Sequence, residues 1–518
     1  MASTVVAVVL FTRFSIDQRL WRDEAIYVYG GQRFAHGVPP YVSIFDPKAP
    51  LATMFAGLAA TAARVLGVND IHLIRLEFFV FSCLTVLAVY VLAYRLWRSV
   101  AAALLAAVVF VSFPIFAQDA IGGPDAKTPA ILAMVVTMWL LLERRWFWAG
   151  VAAAITALVW QPLFVFPIAA LALPALMTKP ERRRRSVVVA AAGVAIPTGI
   201  IGIYFLAVGA FGKLIEATVT FPLTGNHHVP FSLHQRYHHM TSVIWRSYGA
   251  REALFIWFGL GALVLIAVAF LWSRRRDWRA SLRHPLIAVV MPTLLVVVAF
   301  LAWYDFQGPE DTLPLTAYAA IGLGGIAGVV LRALKQRPVQ RAAVAAVLVA
   351  SAVLAGITWP SFDGRKTHND LLLAEYSQAC AIDRMVGAGG GLYALGDPTP
   401  LAITHRTNPD RFIYLEENVS GWKIRHTAGG FDGWVSQIEA AHPSVIVLQL
   451  WYDANSTRMR QSLVGLGYTS AFVGGWHVYL LPTALDQAAR SDVRVTSRPT
   501  RVARALDGRP LPQHNCSA

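Results

Sequence analysis

The chain of 518 residues contains a long succession of apolar segments, and this succession most constrains its fold. About 20 apolar residues in a helix cross the hydrocarbon core of a bilayer, where backbone groups must hydrogen-bond within the segment. Charged residues make up only 14% of the chain. The sequence therefore predicts a polytopic α-helical membrane protein with about 11–13 transmembrane helices in a lipid bilayer. The candidate spans are 1–16, 50–67, 75–97, 100–117, 126–142, 146–160, 162–178, 186–209, 252–272, 285–304, 313–333 and 341–358.

The net charge of +15 is explained by basic residues that cluster in the loops between these segments. A strongly basic soluble domain would indicate nucleic acid as the partner. Here the arginines cluster at 182–185, 274–276 and 332–341, between apolar segments, as the positive-inside rule requires. We therefore expect no nucleic-acid partner, cytoplasmic basic loops, and an outer location for everything after residue 358.

The orientation of the N-terminal half is not fixed by counting spans. Counting back through every candidate puts 17–50 inside, whereas a cytoplasmic N-terminus puts it outside. The two counts differ by one crossing within 75–178. There, 146–178 is either one long helix or a hairpin broken at Pro162.

The composition changes after Trp359. The sequence predicts a transmembrane domain over 1–358, a small C-terminal extracytoplasmic α/β domain over 359–482, and a disordered tail over 483–518. No disulfide framework is expected from the scattered cysteines. Within 359–482 we predict strands at 392–395, 411–415 and 444–450, a helix at 432–441, and a hairpin of 469–473 with 477–481.

The polar segment from Asp23 to Pro50, read as a proline-studded loop, follows the first apolar segment. It begins with Asp23 and Glu24, and Lys48 stands near its end. A carboxylate shielded from water at a membrane surface can act as a general base, and a fixed ammonium suits a lipid-linked phosphate. Equally, Asp23 could cap a helix and Lys48 could extend along apolar surface to reach water.

A second acid-and-lysine segment lies at 114–129, where Asp119, Asp125 and Lys127 surround a turn. Asp125 could instead be an N-terminal carboxylate favoured by the helix dipole. The occurrence of two such segments in the first quarter of the chain favours the functional interpretation of both.

Histidines cluster in the long polar stretch 210–250, at 227–228 and 234–239. No carboxylate or cysteine stands at a familiar ligand spacing, so no metal site or cofactor is predicted, although a divalent metal is left open. An interfacial segment, a lid over a polar substrate and a solvated loop are the alternatives. We assign His227, His228 and Tyr41 as acceptor-binding or lid residues.

Together these motifs resemble those of the GT-C class of membrane glycosyltransferases. The resemblance is to dolichyl-phosphate-mannose-dependent mannosyltransferases and to lipid A aminoarabinose transferases. Departures occur at Trp160-Gln161-Pro162, where the family has a lysine motif, and at Asp311, where it has a basic residue. The matching segments are Asp23-Glu24, Lys48-Ala49-Pro50 with alanine for one proline, Asp125-Ala126, and Thr312-Leu313-Pro314-Leu315.

The resemblance implies an outward-facing active site in the plasma membrane, which places 17–50 outside. The implied reaction moves a mannose- or arabinose-like sugar from a polyprenyl-phosphate donor to a glycan, lipid or protein acceptor by inverting displacement. The implied catalytic residues are Asp23 as general base, Glu24 and Asp125. The residues expected at the donor phosphate are Lys48, Arg22 and Lys127.

Three other functions are alternatives for a chain with this sequence. A transporter or flippase of lipid-linked sugars would have internal repeats and broken helices in matching halves, and no such repeat is evident. A non-catalytic scaffold with a glycan-binding outer domain would not need the 23–50 segment. A lipid-linked oligosaccharide ligase, close in chemistry, would use a large outer loop, for which 210–250 is a modest candidate.

Overall fold

The computed structural model describes residues 2–20, 22–225, 232–275, 284–303, 308–334, 336–363, 371–416, 418–499 and 516. Within these ranges the chain is mostly helical, as predicted. The first ten helices are α1 (Ala2–Phe11), α2 (Arg22–Ala35), α3 (Leu51–Leu66), α4 (Asp70–Trp97), α5 (Val100–Val111), α6 (Pro114–Gly122), α7 (Lys127–Leu142), α8 (Trp146–Val159), α9 (Val165–Met177) and α10 (Pro180–Ala207). The following helices are α11 (Phe211–Ile215), α12 (Leu233–Tyr248), α13 (Ala250–Ser273), α14 (Met291–Trp303), α15 (Leu313–Ala333), α16 (Arg337–Asp363), α17 (Leu371–Val386), α18 (Thr399–Thr404), α19 (Val419–Arg425), α20 (Gly430–Ala441), α21 (Ala454–Gly465) and α22 (Pro482–Arg490).

Five helical segments in the described part of the chain are long and apolar enough to cross a membrane. They are α4, α10, α13, α15 with the turn before it, and α16. The pair α5 and α6 passes the same test together, with a bend of 70° between them. Six further apolar helices have 10–17 residues. Length and composition thus support five or six spans, and the larger number of 11–13 stays a prediction.

The stretch 146–178 is not one continuous helix. Helices α8 and α9 are separated by Trp160 and a 3-10 turn over Gln161–Leu163. Pro162 lies in the first turn of this short element, where its missing N–H costs no helical hydrogen bond.

Glycines allow two of the long apolar helices to touch. A Cβ built on Gly322 of α15 would lie 1.9 Å from the carbonyl oxygen of Gly259 in α13. No larger residue fits there without separating the helices. Close approach through small residues is the usual way in which membrane helices associate, because lipid tails remove the hydrophobic drive between them.

The C-terminal sheet has four strands in the order β1-β2-β4-β3. Strands β1 and β2 are parallel, and the other neighbours are antiparallel. The predicted strands at 392–395 and 444–450, the hairpin, and the helix at 432–441 are confirmed. The strand predicted at 411–415 is wrong, because that stretch has no strand partner. The strands are β1 (Leu392–Leu395), β2 (Val445–Leu448), β3 (Thr469–Val473) and β4 (Trp476–Leu480).

The chain forms two compact units, each built from separated segments. The first, here the apolar unit, contains 1–15, 78–203 and 228–367. The second, here the sheet unit, contains 16–77, 204–227 and 368–518, so that the polar N-terminal segment belongs with the sheet. The domain boundaries at 358 and 482 concern membrane embedding and stay predictions.

Two features near the C-terminus differ from the expectations. Helix α22 begins the segment for which disorder is predicted, and it buries Ala484 and Ala488. Cys380 and Cys516 form a disulfide, although none was expected. Their separation of 136 residues carries no signal in the sequence, because folding alone brings them together.

Candidate functional site

The first half of the polar N-terminal segment is a helix, not the loop that its proline content indicated. Helix α2 places Asp23 and Glu24 in its first turn, where negative charge is favourable. Its Gly31 lies against α3, since a Cβ there would be 2.8 Å from the backbone of Ala56. Prolines begin only at Pro39, so nothing interrupts the helix before Ala35.

An ion pair joins the two ends of the polar segment. The Lys48 ammonium donates to Oδ2 of Asp23 over 2.6 Å. The Lys48 side chain is 13% exposed and that of Asp23 is 33% exposed. The carboxylate is therefore open to solvent on one side while its charge is balanced on the other. The sequence singled out both residues, but a separation of 25 positions does not reveal that they meet.

Several groups hold Lys48 in place. Its backbone N–H donates to Oδ1 of Asp46 over 3.1 Å, and its carbonyl accepts from the Tyr41 hydroxyl over 2.7 Å. The Tyr27 ring centroid lies 5.5 Å from the ammonium nitrogen. Burial alone would lower the pKa of Lys48, but the charges of Asp23 and Asp46, together with tyrosines, outweigh it and raise the pKa well above its usual value.

Asp23 and Glu24 have different surroundings. Glu24 is 8% exposed and lies in the electrostatic environment of the buried Arg75. Arg75 also donates to the carbonyl oxygens of Ile16 and Arg19. Adjacent residues on a helix point in different directions. Glu24 therefore belongs to this buried network, whereas the partly exposed carboxylate beside Lys48 is that of Asp23. The backbone of Arg22 begins α2, and its side chain lies outside the described residues.

Tyr41 is buried, with its hydroxyl committed to the Lys48 carbonyl. Its φ of +67° is a left-handed conformation that side chains seldom adopt. The carbonyl oxygen of Tyr41 accepts from Arg411 over 3.2 Å. This arrangement positions Lys48, whereas the sequence assigned Tyr41 to acceptor binding or a lid, which stays a prediction.

A second ion pair in the sheet unit fixes the segment leading to Lys48. Nη2 of Arg411 donates to both carboxylate oxygens of Glu216, over 2.8 Å and 2.7 Å. The Trp422 indole also donates to Glu216, over 3.2 Å. The backbone N–H of Phe45 donates to the Arg411 carbonyl over 2.7 Å. Sequence reasoning missed Arg411 and Glu216, because no motif links three segments so far apart in the chain.

The Asp125 cluster lies in the apolar unit. Oδ1 of Asp125 accepts from the backbone N–H of Lys127 over 2.6 Å, and its carbonyl accepts from the Thr128 hydroxyl over 3.0 Å. The Lys127 ammonium lies 3.5 Å from Oδ2 of Asp125 and 3.9 Å from Oδ1 of Asp311. Asp125 and Lys127 are both nearly buried. Asp125 thus stabilises the turn before α7, and Asp311, noted as a departure from the family, balances the charge of Lys127.

The histidine-rich stretch is described only in part. His227 and His228 lie outside the described residues. His234, His238 and His239 are exposed on α12. Across the ranges that the structure describes, no three side chains of histidine, cysteine, aspartate or glutamate are grouped so as to hold a metal ion.

Comparisons with known sequences agree with the predicted resemblance. Residues 37–200 match the family model of DolP-mannose mannosyltransferase. A dolichol phosphate-mannose mannosyltransferase from Haloferax volcanii is 26% identical over 172 residues, which are 32% of this chain and 35% of that relative. The chain therefore aligns with about a third of the length of this curated relative. The family match includes Lys48 and Asp125 but begins after Asp23.

Solved structures share the fold over nearly the whole chain. ArnT from Cupriavidus metallidurans matches in its apo state with a TM-score of 0.57 and 13% identity, over 92% of this chain and 97% of ArnT. The same ArnT bound to undecaprenyl phosphate gives 0.56 at 14% identity, over 92% and 97% of the two chains. The Archaeoglobus fulgidus oligosaccharyltransferase matches with a TM-score of 0.52 and 14% identity, over 91% of this chain and 73% of that protein. The resemblance to the GT-C class is confirmed, and the chain is a multi-pass membrane protein with this fold.

Proposed function

We propose that this protein, a membrane chain with the GT-C fold, is a glycosyltransferase that uses a polyprenyl-phosphate sugar as donor. The observation that carries the proposal is the ion pair of Asp23 with Lys48. It places a carboxylate, one third exposed, beside a held ammonium just before an apolar helix. Charged residues next to membrane segments are rare because they are costly, and those that occur usually have a function.

The pair supplies two of the groups that an inverting sugar transfer needs. Asp23 accepts the proton of the acceptor hydroxyl as that oxygen attacks the anomeric carbon. The bond from that carbon to the phosphate oxygen breaks, and negative charge collects on the lipid phosphate. The Lys48 ammonium stabilises this charge. A carboxylate paired with an ammonium is a weak base, so the proton moves late, when the attacking oxygen is already acidic.

The donor class is supported by the names of the relatives. The family model is named for dolichyl-phosphate mannose, and the ArnT neighbour was solved with undecaprenyl phosphate. We propose a mannose- or arabinose-like sugar on such a lipid, and a glycan, lipid or protein as acceptor. We place the active site and the sheet on the extracytoplasmic side of the plasma membrane, in line with the basic loops on the other side.

Lesser roles go to the remaining candidates. We propose that Asp125 takes part in catalysis and that Lys127 binds phosphate. Arg22 is proposed to bind the donor phosphate, and Glu24 supports α2 through its electrostatic interaction with Arg75. Tyr41 keeps the carbonyl of Lys48 in place. His227 and His228 are proposed as acceptor-binding residues.

Sugar transfer by the purified chain in detergent tests this proposal. A panel of radiolabelled polyprenyl-phosphate sugars is offered to the wild type and to Asp23→Asn. Glu439→Gln, which removes an exposed carboxylate from α20, is the matched control. We expect transfer or slow hydrolysis with one donor, loss of at least 100-fold in Asp23→Asn, and no change in the control. Full activity in folded Asp23→Asn would sink the assignment of the base, and failure to bind any donor would sink the class.

A further inference from the structure

A separate cavity of about 370 Å³ lies within the sheet unit. It is formed around the C-terminal part of α2, about ten residues along the helix from Asp23, which corresponds to about 15 Å. The function proposed above makes no use of it. Six lining residues matter for its chemistry: Tyr29, Arg33, His36, Arg64, Asp70 and His405.

The charge of this cavity is positive. Arg33 and Arg64 have no ion-pair partner among the described residues. Asp70 is the carboxylate of the lining, and its Oδ2 already accepts from the Gln32 amide over 2.9 Å and lies 3.8 Å from Nε2 of His405. A further lining arginine, Arg406, is paired with Asp383. The positive charge of these two unpaired guanidinium groups therefore exceeds the negative charge of Asp70.

Polar groups with free hydrogen-bonding capacity stand beside these arginines. The Tyr29 hydroxyl accepts the backbone N–H of Asn408 over 3.1 Å, which leaves its own O–H to donate. Nδ1 of His36 is 2.8 Å from the Gln32 carbonyl, so the bond fixes the ring and leaves Nε2 for another partner.

The backbone of His405 has a φ of +56°, in the left-handed region. A left-handed residue commonly ends a helix, so this conformation is explained by the end of α18. His405 follows the short helix α18 and carries its ring to the wall of the cavity.

We propose that this cavity binds a phosphate-bearing polar molecule, and that it is distinct from the site of Asp23 and Lys48. A guanidinium presents N–H groups in a planar fork that matches phosphate oxygens, and two such forks with a phenol and an imidazole suit a dianion. The volume is within the range of small-molecule sites and accommodates a monosaccharide phosphate. A soluble sugar phosphate and a lipid phosphate headgroup share this chemistry.

Binding to the full chain distinguishes the two sources. Calorimetry in detergent compares glucose 6-phosphate with glucose, and native mass spectrometry compares nanodiscs with and without phosphatidic acid. Where a phosphorylated probe binds, Arg33→Gln should lower its affinity about tenfold, which corresponds to the loss of one hydrogen bond to a charged group. Arg64→Gln should weaken it about threefold, because this side chain is more exposed. Arg490→Gln, an exposed arginine of α22, should change nothing.

The outcomes separate clearly. Binding of glucose 6-phosphate but not glucose, weakened about tenfold in Arg33→Gln, supports a soluble phosphorylated ligand. Phosphatidic acid adducts that depend on Arg33 support a lipid headgroup. If Arg33→Gln does not fold, Arg33→Lys replaces it, since it keeps the charge but loses the fork. Binding of neither probe, or binding that the Arg33 variants leave unchanged, overturns the proposal. None of these results depends on sugar transfer.

Discussion

The ion pair of Arg411 with Glu216 allows a quantitative test of how the segment before Lys48 is held. Replacing Arg411 with methionine keeps an apolar stem near Phe412, whose ring lies 4.8 Å from the guanidinium. It removes two hydrogen bonds to Glu216 and one to the Tyr41 carbonyl. Hydrogen bonds to charged groups contribute about 1.5–3 kcal/mol each when buried. The two side chains are 17% and 26% exposed, so water compensates part of the loss. We expect destabilisation by about 2–4 kcal/mol in total.

A double-mutant cycle isolates the pair from the rest of the effect. The unfolding free energies of Arg411→Met, Glu216→Gln and the double variant are measured by denaturant titration in detergent. We expect a coupling energy of about 1–3 kcal/mol. The matched control is the cycle on Arg458 and Asp432, a pair 2.7 Å apart with side chains that are 55% and 84% exposed. The coupling energy of that control pair should be below about 0.5 kcal/mol.

Equal coupling in the two cycles would refute the reasoning, since burial and bidentate geometry would then have no effect. Sugar transfer measured on the same variants gives an independent reading. Arg411→Met should lower it even under conditions where the variant is fully folded, because the chain from Tyr41 to Lys48 loses its attachment. Unchanged transfer would mean that this attachment does not position Lys48.

Three further predictions concern buried charge. Because the pKa of Lys48 is raised, its pairing should stabilise the fold fully below about pH 10.4 and lose effect as pH rises through the folded pKa. The difference in stability between wild type and Lys48→Gln should therefore be constant from pH 8 to 10, and a difference that shrinks there contradicts the pairing. Glu375 is a buried residue of α17 whose Oε1 accepts from Nε of Arg19 over 2.8 Å. Burial, opposed in part by Arg19, raises the pKa of Glu375 to about 7, so stability should fall as pH rises from about 4.5 to 7. Glu375→Gln should flatten that part of the stability curve, and an unchanged curve would exclude Glu375 as its source. Lys127→Met removes the ammonium beside the buried carboxylate of Asp125 and should destabilise by about 3–5 kcal/mol, whereas adding Asp125→Asn should restore part of the loss in a thermal melt.

Some of the fold could be read from the sequence because it depends on local patterns. Each predicted apolar segment overlaps a helix, since hydrophobic runs and helix breakers are local properties. The hairpin of β3 and β4 was predicted from two β-rich runs across Gly474 and Gly475. The same reasoning failed at 411–415, where the residues favour a strand but the backbone forms isolated hydrogen bonds instead of a ladder, with the Arg411 carbonyl accepting from Phe45 and the Ile413 carbonyl from Gly396.

The candidate site was predictable in its residue types but not in its pairing. Asp23 and Lys48 stood out because charge next to an apolar segment is unusual. Their contact depends on how α2 lies against α3 through Gly31, and no periodicity encodes that. Arg411 and Glu216 were missed for a related reason, since each is ordinary in its own neighbourhood. Only the folded chain brings together residues separated by 195 positions.

The discontinuous make-up of the sheet unit has a consequence for how the protein is made. Its first segment ends at residue 77 and its last begins at residue 368. At about 5–20 residues per second, a ribosome needs roughly 15–60 s to synthesise the intervening chain. During that time α2 and α3 have emerged, but helix α18, which packs on α2, has not. Contacts this far apart in the chain also form slowly. The newly made N-terminal segment of this unit therefore remains without its C-terminal contacts until synthesis is nearly complete, and during that time it is exposed to misassembly.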